Sequence, residues 1–407
     1  MSVTDVDLIK NSSFEEKMDT QAQLLLRIAE KMGAYDQQIS WEGYRQSVRK
    51  GLAKAEFPVG TQLIDEWEKA AGGTKYSCPW DIVHYDADGN AYLKWHWGLE
   101  SDIQFDAPEA IYYAPAGGLA AGQYYITISL GYGNGWHAND HINFTLNQAM
   151  AEGDQLVIST ATDANVDPTN GRTWNVYAKG STTSKDTGVT SNSATGTLLG
   201  ATSSDGTGYT NGQINAPQRV VYGYGRYSQS AVRQYLNSAA AANAWWAPQN
   251  GWDRPPAQLA SVRGLLAGFS EEFLAILEES EVTTAINTVE GSAQTTEVTR
   301  DKIFLPSLQE MYISPQLASV EGVDWDYFKE LAAEAGLNGK FAQGGTYPIL
   351  KTYRISSTTS AVGARLRSAY RGYAYYTWYV YTSGYVYYGY AAYYSFSGCP
   401  ACKIKKS

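Results

Sequence analysis

Twelve of the chain's 32 tyrosines fall within the 25 residues from Tyr370 to Tyr394, and no other feature restricts the fold so tightly. The stretch reads Tyr370-Arg-Gly-Tyr-Ala-Tyr-Tyr-Thr-Trp-Tyr-Val-Tyr-Thr-Ser-Gly-Tyr-Val-Tyr-Tyr-Gly-Tyr-Ala-Ala-Tyr-Tyr394. Around Thr382-Ser383-Gly384, the flanks Trp378 to Tyr381 and Tyr385 to Tyr388 have the form of two hairpin arms. Strand side chains alternate, so Trp378 and Val380 share one face and Tyr379 and Tyr381 the other, while Val386 opposes Tyr385 and Tyr387. Twelve phenol hydroxyls in one core would each need a partner. Alternation therefore predicts apolar anchors on the core side and tyrosines facing out, and an exposed aromatic surface of that size marks a binding site.

Elsewhere the 407-residue chain divides by its periodicity. Residues 1–55 read as an N-terminal helical segment. Phe14, Met18, Leu25, Ile28 and Met32 recur at helical steps, and a second helix is expected after Ser40, with Trp41, Tyr44, Val48 and Leu52 on one face and Gly51 near its end. From Phe57 the period becomes two. Tyr124, Ile126, Ile128 and Leu130 alternate with polar neighbours, as do Ile142, Phe144 and Leu146, and further strands are expected at Leu156–Ser159 and Trp174–Tyr177. An antiparallel, sandwich-like (or Ig-like) domain is predicted over 56–205, its first strands open to membership of the C-terminal fold. Residues 180–213, with 22 Gly, Ser or Thr in 34, predict a long loop or linker. Residues 206–407 mix helix and strand. Helices are expected from Ser230 (Val232, Tyr235, Leu236 and Ala239 inward), from the cap Ser270 with a Phe269–Leu274 staple, from a Ser307/Glu310 capping box, and over Asp324–Ala335 up to Gly336. The fold class is α+β.

The chemistry-bearing residues are sparse. A net charge of -10 offers no field for a phosphate backbone, so nucleic acid is excluded as a principal partner. No basic-then-apolar leader and no run of about 18 apolar residues is present, which predicts neither Sec export nor membrane insertion. His137 and His141 stand four apart, but Gly133, Gly135, Asn139 and Asp140 mark a loop and no third ligand is apparent. Asp86-Ala-Asp88-Gly89-Asn90 begins like a calcium loop but lacks the later Gly and Glu, and reads as a hairpin turn. Cys399-Pro-Ala-Cys402 has CxxC spacing without a second ligand pair, Cys78 being remote. We expect no catalytic residue, no metal and no cofactor.

Several segments carry a resemblance. GRYSQSAVRQYLNS at 225–238, the tryptophans 245 and 246, DKIFLPSLQEMY at 301–312, RLRS at 365–368 and the closing SGCPACKI resemble the variable proteins of diversity-generating retroelements of gut phages and bacteria. FPVGTQL at 57–63 and QFDAPEAIYYA at 104–114 resemble their β-rich part. The resemblance implies a C-terminal C-type-lectin fold of the formylglycine-generating-enzyme type, with a variable region over about 365–398 rewritten at adenines. Its variable positions carry over to Tyr370, Tyr373, Tyr375, Tyr376, Tyr379, Tyr381, Tyr385, Tyr387, Tyr388, Gly389, Tyr390, Ala392, Tyr393, Tyr394 and Phe396. Gly372, Ala374, Trp378, Val380, Gly384 and Val386 would be the constant framework between them. The absence of Asn between 370 and 396 departs from the usual scatter of outcomes. The implied function is hypervariable ligand binding, with a protein or glycan on a cell surface as partner. Other virion proteins and further copies of the chain are additional partners, and a phage tail or a bacterial surface is the place. The alternatives are a purely structural virion protein and a redox or metal enzyme of the formylglycine-generating type.

Overall fold

The helix Trp41–Lys50 forms where a polar cap meets an apolar stripe. Ser40 Oγ accepts from the Gly43 N–H, Gly51 (φ 72°) ends the helix, and Trp41, Tyr44 and Val48 are buried. Leu52, expected on the same face, lies beyond the last turn and is exposed. This computed structural model describes residues 39–159, 164–289, 295–318, 320–393 and 396–407; the expected helix at 14–32 and Tyr394 lie outside them.

Strands β1 (Gln62–Glu68), β2 (Lys75–Tyr85) and β3 (Ala91–Trp95) form an antiparallel meander. Asp86 closes its second turn: its side chain accepts from the Asp88 and Asn90 N–H groups, as a hairpin turn requires. Ten short strands are described after it in the β-rich region. β4 (Tyr112–Tyr113), β7 (Gln155–Ile158), β8 (Thr173–Tyr177) and β9 (Ser184–Val189) make one antiparallel sheet. The other is built on β5 (Gly122–Ile128), which pairs antiparallel with β6 (His141–Leu146) and parallel with both β10 (Thr197–Leu198) and β13 (Gln213–Ile214). β12 (Thr210–Asn211) and β11 (Ser203–Ser204) continue its edge. Ile126, Ile128, Ile142 and Phe144 from one sheet and Leu156, Ile158, Trp174 and Val176 from the other share a single core. The alternating residues thus pack as expected, except that β5 stops at Ile128 and leaves Leu130 exposed.

The stretch 180–213 is not a linker. It supplies β9 to β12, and most side chains of β9, β10 and β11 are exposed. Hydrogen bonding, not burial, holds it: Asp186 accepts from the N–H groups of Asn147 and Gln148 and from the Asn147 amide. Small polar residues can pair as edge strands without any apolar period, and that period is the signal a sequence reading relies on.

The remaining strands are β14 (Ser280–Ala285), β15 (Thr296–Asp301), β16 (Ile303–Phe304), β17 (Thr352–Tyr353), β18 (Ala361–Ala369), β19 (Tyr376–Val380), β20 (Val386–Tyr390), β21 (Phe396–Gly398) and β22 (Ala401–Ile404). The order β1-β2-β3-β22-β16 joins the early meander to the chain's last strand. A second sheet runs β17-β18-β19-β20, with β21 parallel to β18 on its other flank. Both contribute to one core that also takes in residues from the helices Trp41–Lys50, Ala231–Leu236, Glu271–Ile276 and Asp326–Glu334. Ser230 and Ser270 cap their helices as predicted, but the first ends at Leu236 and leaves Ala239 exposed. Ser307 and Glu310 make the reciprocal capping bonds, yet the backbone turns away at Tyr312 (φ 54°) and no helix follows. The class is therefore α+β, with mainly antiparallel sheets. No described helix is long and apolar enough to cross a membrane.

Candidate functional site

The tyrosine segment folds as the predicted hairpin, β19 pairing antiparallel with β20 so that Trp378 faces Tyr388, Tyr379 faces Tyr387 and Val380 faces Val386. Its turn depends on Gly384. The residue sits at φ 84°, and a Cβ there would lie 2.0 Å from the Tyr347 carbonyl oxygen, so no side chain is tolerated. Trp378, Val380 and Val386 are buried in the C-terminal core, as alternation predicts.

The tyrosines do not all face out. Tyr373, Tyr381, Tyr387 and Tyr393 are exposed, at 37–47%. Tyr370, Tyr376, Tyr385, Tyr388, Tyr390 and Ala392 are half-buried. Tyr375, Tyr379, Phe396 and Gly389 are buried, which corrects the expectation of a uniformly exposed face. For Tyr379 and Gly389 the cause is β21: it runs beside β18 and lays Phe396 over the outer face, its ring 4.2 Å from Tyr379, whereas Tyr375 packs in the core of the β-rich region. Gly389 lies under the same ring, where an added Cβ would meet Tyr379 Cε1 at 3.0 Å. Burial pushes the Tyr379 phenol up to about 12.

Two arginines of β18 are buried, and only Arg365 reaches the hairpin. Arg365 is buried with no carboxylate partner among the described residues. Its guanidinium donates to Thr377 Oγ1 and to the carbonyls of Gly389 (3.5 Å), Tyr390 (2.5 Å) and Tyr393 (3.2 Å), and lies over the Phe396 ring. Burial draws its pKa down to about 9. Arg367, two residues on, is neutralised by Glu310 and also donates to the carbonyls of Leu305 and Glu321. Arg365 therefore holds the end of the tyrosine segment through three main-chain carbonyls as well as through the Thr377 hydroxyl and the Phe396 ring. Both arginines belong to the RLRS motif, but only the fold shows which carbonyls they reach.

Exposed Tyr387 and half-buried Tyr370, Tyr376, Tyr385 and Tyr388 adjoin one another. Tyr385 and Tyr387 stack at 5.1 Å, Tyr387 and Tyr388 at 4.4 Å, and Tyr388 meets Tyr376 at 4.8 Å and Tyr370 at 4.3 Å. Such rings offer apolar area and hydroxyl donors with little rotamer entropy to lose.

The other candidates are placed differently. His137 Nδ1 bonds Asp140, and His141 sits on β6; the two belong to no ligand grouping among the described residues. Cys399 and Cys402 are buried, Cys399 Sγ lies 3.4 Å from Thr352 Oγ1, and burial pushes the Cys402 thiol up, away from the thiolate that redox or metal chemistry uses. A grouping missed in the sequence is Asp106, Glu109 and Asp253, buried together in the β-rich region. Arg219 pairs with Glu109 through two 2.7 Å bonds. Burial pushes Asp106 up, and pushes Asp253 up to about 6 against the N–H groups of Gln249 and Asn250. No sequence spacing signals this cluster, because Asp253 comes from a distant loop.

Residues 204–406 match a family described as Domain of unknown function (DUF6273). No curated protein and no solved structure matches the chain.

Proposed function

We propose that this chain is a hypervariable ligand-binding protein. Its C-terminal part would be a C-type-lectin-like scaffold, and its tyrosine surface would be diversified by adenine-directed retroelement mutagenesis. The ligand is a protein or glycan on a cell surface, and the setting is a phage tail or a bacterial surface. One observation carries the reading: Arg365 holds the main chain at Gly389, Tyr390 and Tyr393 through carbonyl oxygens, while the rings of Tyr373, Tyr381, Tyr387 and Tyr393 are exposed. Side chains placed this way can be exchanged without repacking a core, as a diversified binding surface requires. The burial of Cys399 and Cys402 weighs against the enzymatic alternative.

The source locus tests the proposal. It should hold a near-identical copy of the DNA encoding residues 370–396 that differs from it only at adenines. A locus without such a repeat would remove the retroelement reading and leave only an aromatic binding surface.

A further inference from the structure

The tyrosine segment touches two cores. Trp378, Val380, Val386 and Ala391 belong to the C-terminal core, whereas Tyr375 belongs to the core of the β-rich region, with Tyr376 and Tyr390 packed against it. We infer that the segment is also the clasp between these two cores, with Tyr375 and Tyr390 committed to Tyr132 and Tyr222 of the β-rich side and so withdrawn from ligand binding.

Among the described residues, the closest ring pair of the segment lies at this junction. Tyr390 stacks on Tyr222 with ring centroids 3.7 Å apart and planes 9° from parallel. Tyr375 meets Tyr222 and Tyr132, each at 5.5 Å, and Tyr132 meets Tyr222 at 6.1 Å. The Tyr222 ring is itself held, since its hydroxyl accepts from the Ala164 N–H at 3.2 Å. Main chain joins main chain beside the rings: the Ala392 N–H donates to the Tyr222 carbonyl at 2.8 Å, and the Gly225 N–H to the Ala374 carbonyl at 2.7 Å. The approach is close enough that a Cβ on Gly225 would lie 2.7 Å from the Tyr376 oxygen. Aromatic pairs stabilise beyond the area they bury, offset and edge-to-face pairs such as Tyr132–Tyr375 more than a face-to-face stack, and backbone bonds across a junction add directional constraint.

Eight of the described tyrosines then divide by task. Ligand contact falls to the rings away from the junction, chiefly Tyr373, Tyr381, Tyr385, Tyr387, Tyr388 and, beyond the Tyr390 stack, Tyr393. Tyr132, half-buried beside Tyr375, becomes a constant ring of the β-rich side at the margin of that surface. A change of the kind adenine mutagenesis produces would be neutral at Tyr387 but would loosen the molecule at Tyr390. The clasp needs no ligand, so it stands or falls separately from the proposed function.

Amide hydrogen exchange on the full chain tests it, comparing the wild type with Tyr390→Ser, Tyr390→Phe, Tyr222→Ser and Tyr387→Ser. Losing the Tyr222–Tyr390 stack should speed exchange at residues 131–136 and 222–225 roughly tenfold, the factor that about 1.4 kcal/mol of local opening corresponds to. Tyr390→Phe, which keeps the ring, should behave as wild type, and Tyr387→Ser should leave these residues unchanged. If Tyr390→Ser does not fold, the half-buried Tyr132→Ser supplies the same reading from the other side, through faster exchange at 374–376 and 390–392. Exchange in Tyr390→Ser or Tyr132→Ser no faster than in Tyr387→Ser would overturn the clasp.

Discussion

Tyr387 and Tyr390 stand three residues apart on β20 and point to opposite faces. Tyr387 is 37% exposed and touches only neighbouring tyrosines, whereas Tyr390 stacks on Tyr222 of a different core. The same residue type in one stretch thus serves as an exchangeable surface at one position and as a structural joint at the other. Composition cannot separate the two roles, because tyrosine suits both: its ring packs, and its hydroxyl tolerates water. The division comes from what lies across from each ring. On the Tyr387 face, Arg365 binds the Gly389, Tyr390 and Tyr393 carbonyls, so the main chain from Gly389 onward is held apart from what the Tyr390 ring does.

The largest effects are expected at the two buried arginines of β18, only one of which reaches the hairpin. Arg367→Met leaves the buried Glu310 carboxylate without its guanidinium and should cost about 3–5 kcal/mol. Arg365→Met strands no opposite charge; it removes the donors to three carbonyls and to Thr377, for a loss of about 2–4 kcal/mol. Urea unfolding measures both. The distinguishing readout is local: Arg365→Met should speed amide exchange across 389–393 more than Arg367→Met does. Equal exchange there would mean that Arg365 is not the pin of the segment.

A smaller effect is expected behind the junction. The Asp106 N–H donates to the Ala391 carbonyl, so the buried carboxyl cluster abuts the segment from the β-rich side. Asp253 is raised from 3.8 to about 6 by burial. A carboxyl whose folded pKa is raised stabilises most below its unfolded pKa, and that contribution is lost as pH climbs through the folded value. Stability should therefore fall between about pH 4 and pH 6 through this group. Asp253→Asn should flatten that slope and gain about 2 kcal/mol at pH 7.5, where the wild type holds the charge. Its amide oxygen can still accept from the Gln249 and Asn250 N–H groups. Urea midpoints at pH 4 and pH 7.5 check this; an unchanged slope in the variant would show that another group governs it.

What the sequence made legible follows from period and turn chemistry. The hairpin about Gly384, the inward faces of Trp378, Val380 and Val386, and the caps Ser40, Ser230 and Ser270 rest on local rules, and the fold obeys them. Alternation also put Tyr379 on the face away from the core. It had no means of showing that Phe396, from a strand parallel to β18, would cover that face. Tyr375 and Tyr390 were hidden for a related reason, since their partners Tyr132 and Tyr222 lie well over a hundred residues upstream and are joined to them only by the tertiary fold. The pairing of 180–213 escaped because exposed edge strands carry no apolar period.

The smallest expected effect is the most discriminating for the surface itself. Tyr381 is 47% exposed, with its nearest aromatic neighbours, Tyr379 and Phe396, at 6.0 and 6.5 Å. Tyr387 rests on Tyr385 and Tyr388 along the outer edge. Neither ring closes a core, so Tyr381→Ser and Tyr387→Ser should each change unfolding free energy by less than about 1 kcal/mol, near the range of ordinary surface substitutions. The double variant should cost little more than the sum, because the two rings are not in contact. A loss of 2 kcal/mol or more at either position would place that tyrosine with Tyr390 among the structural rings and shrink the surface left for a ligand. A small loss would leave the outer rings free to change, which is the property a diversified binding face needs.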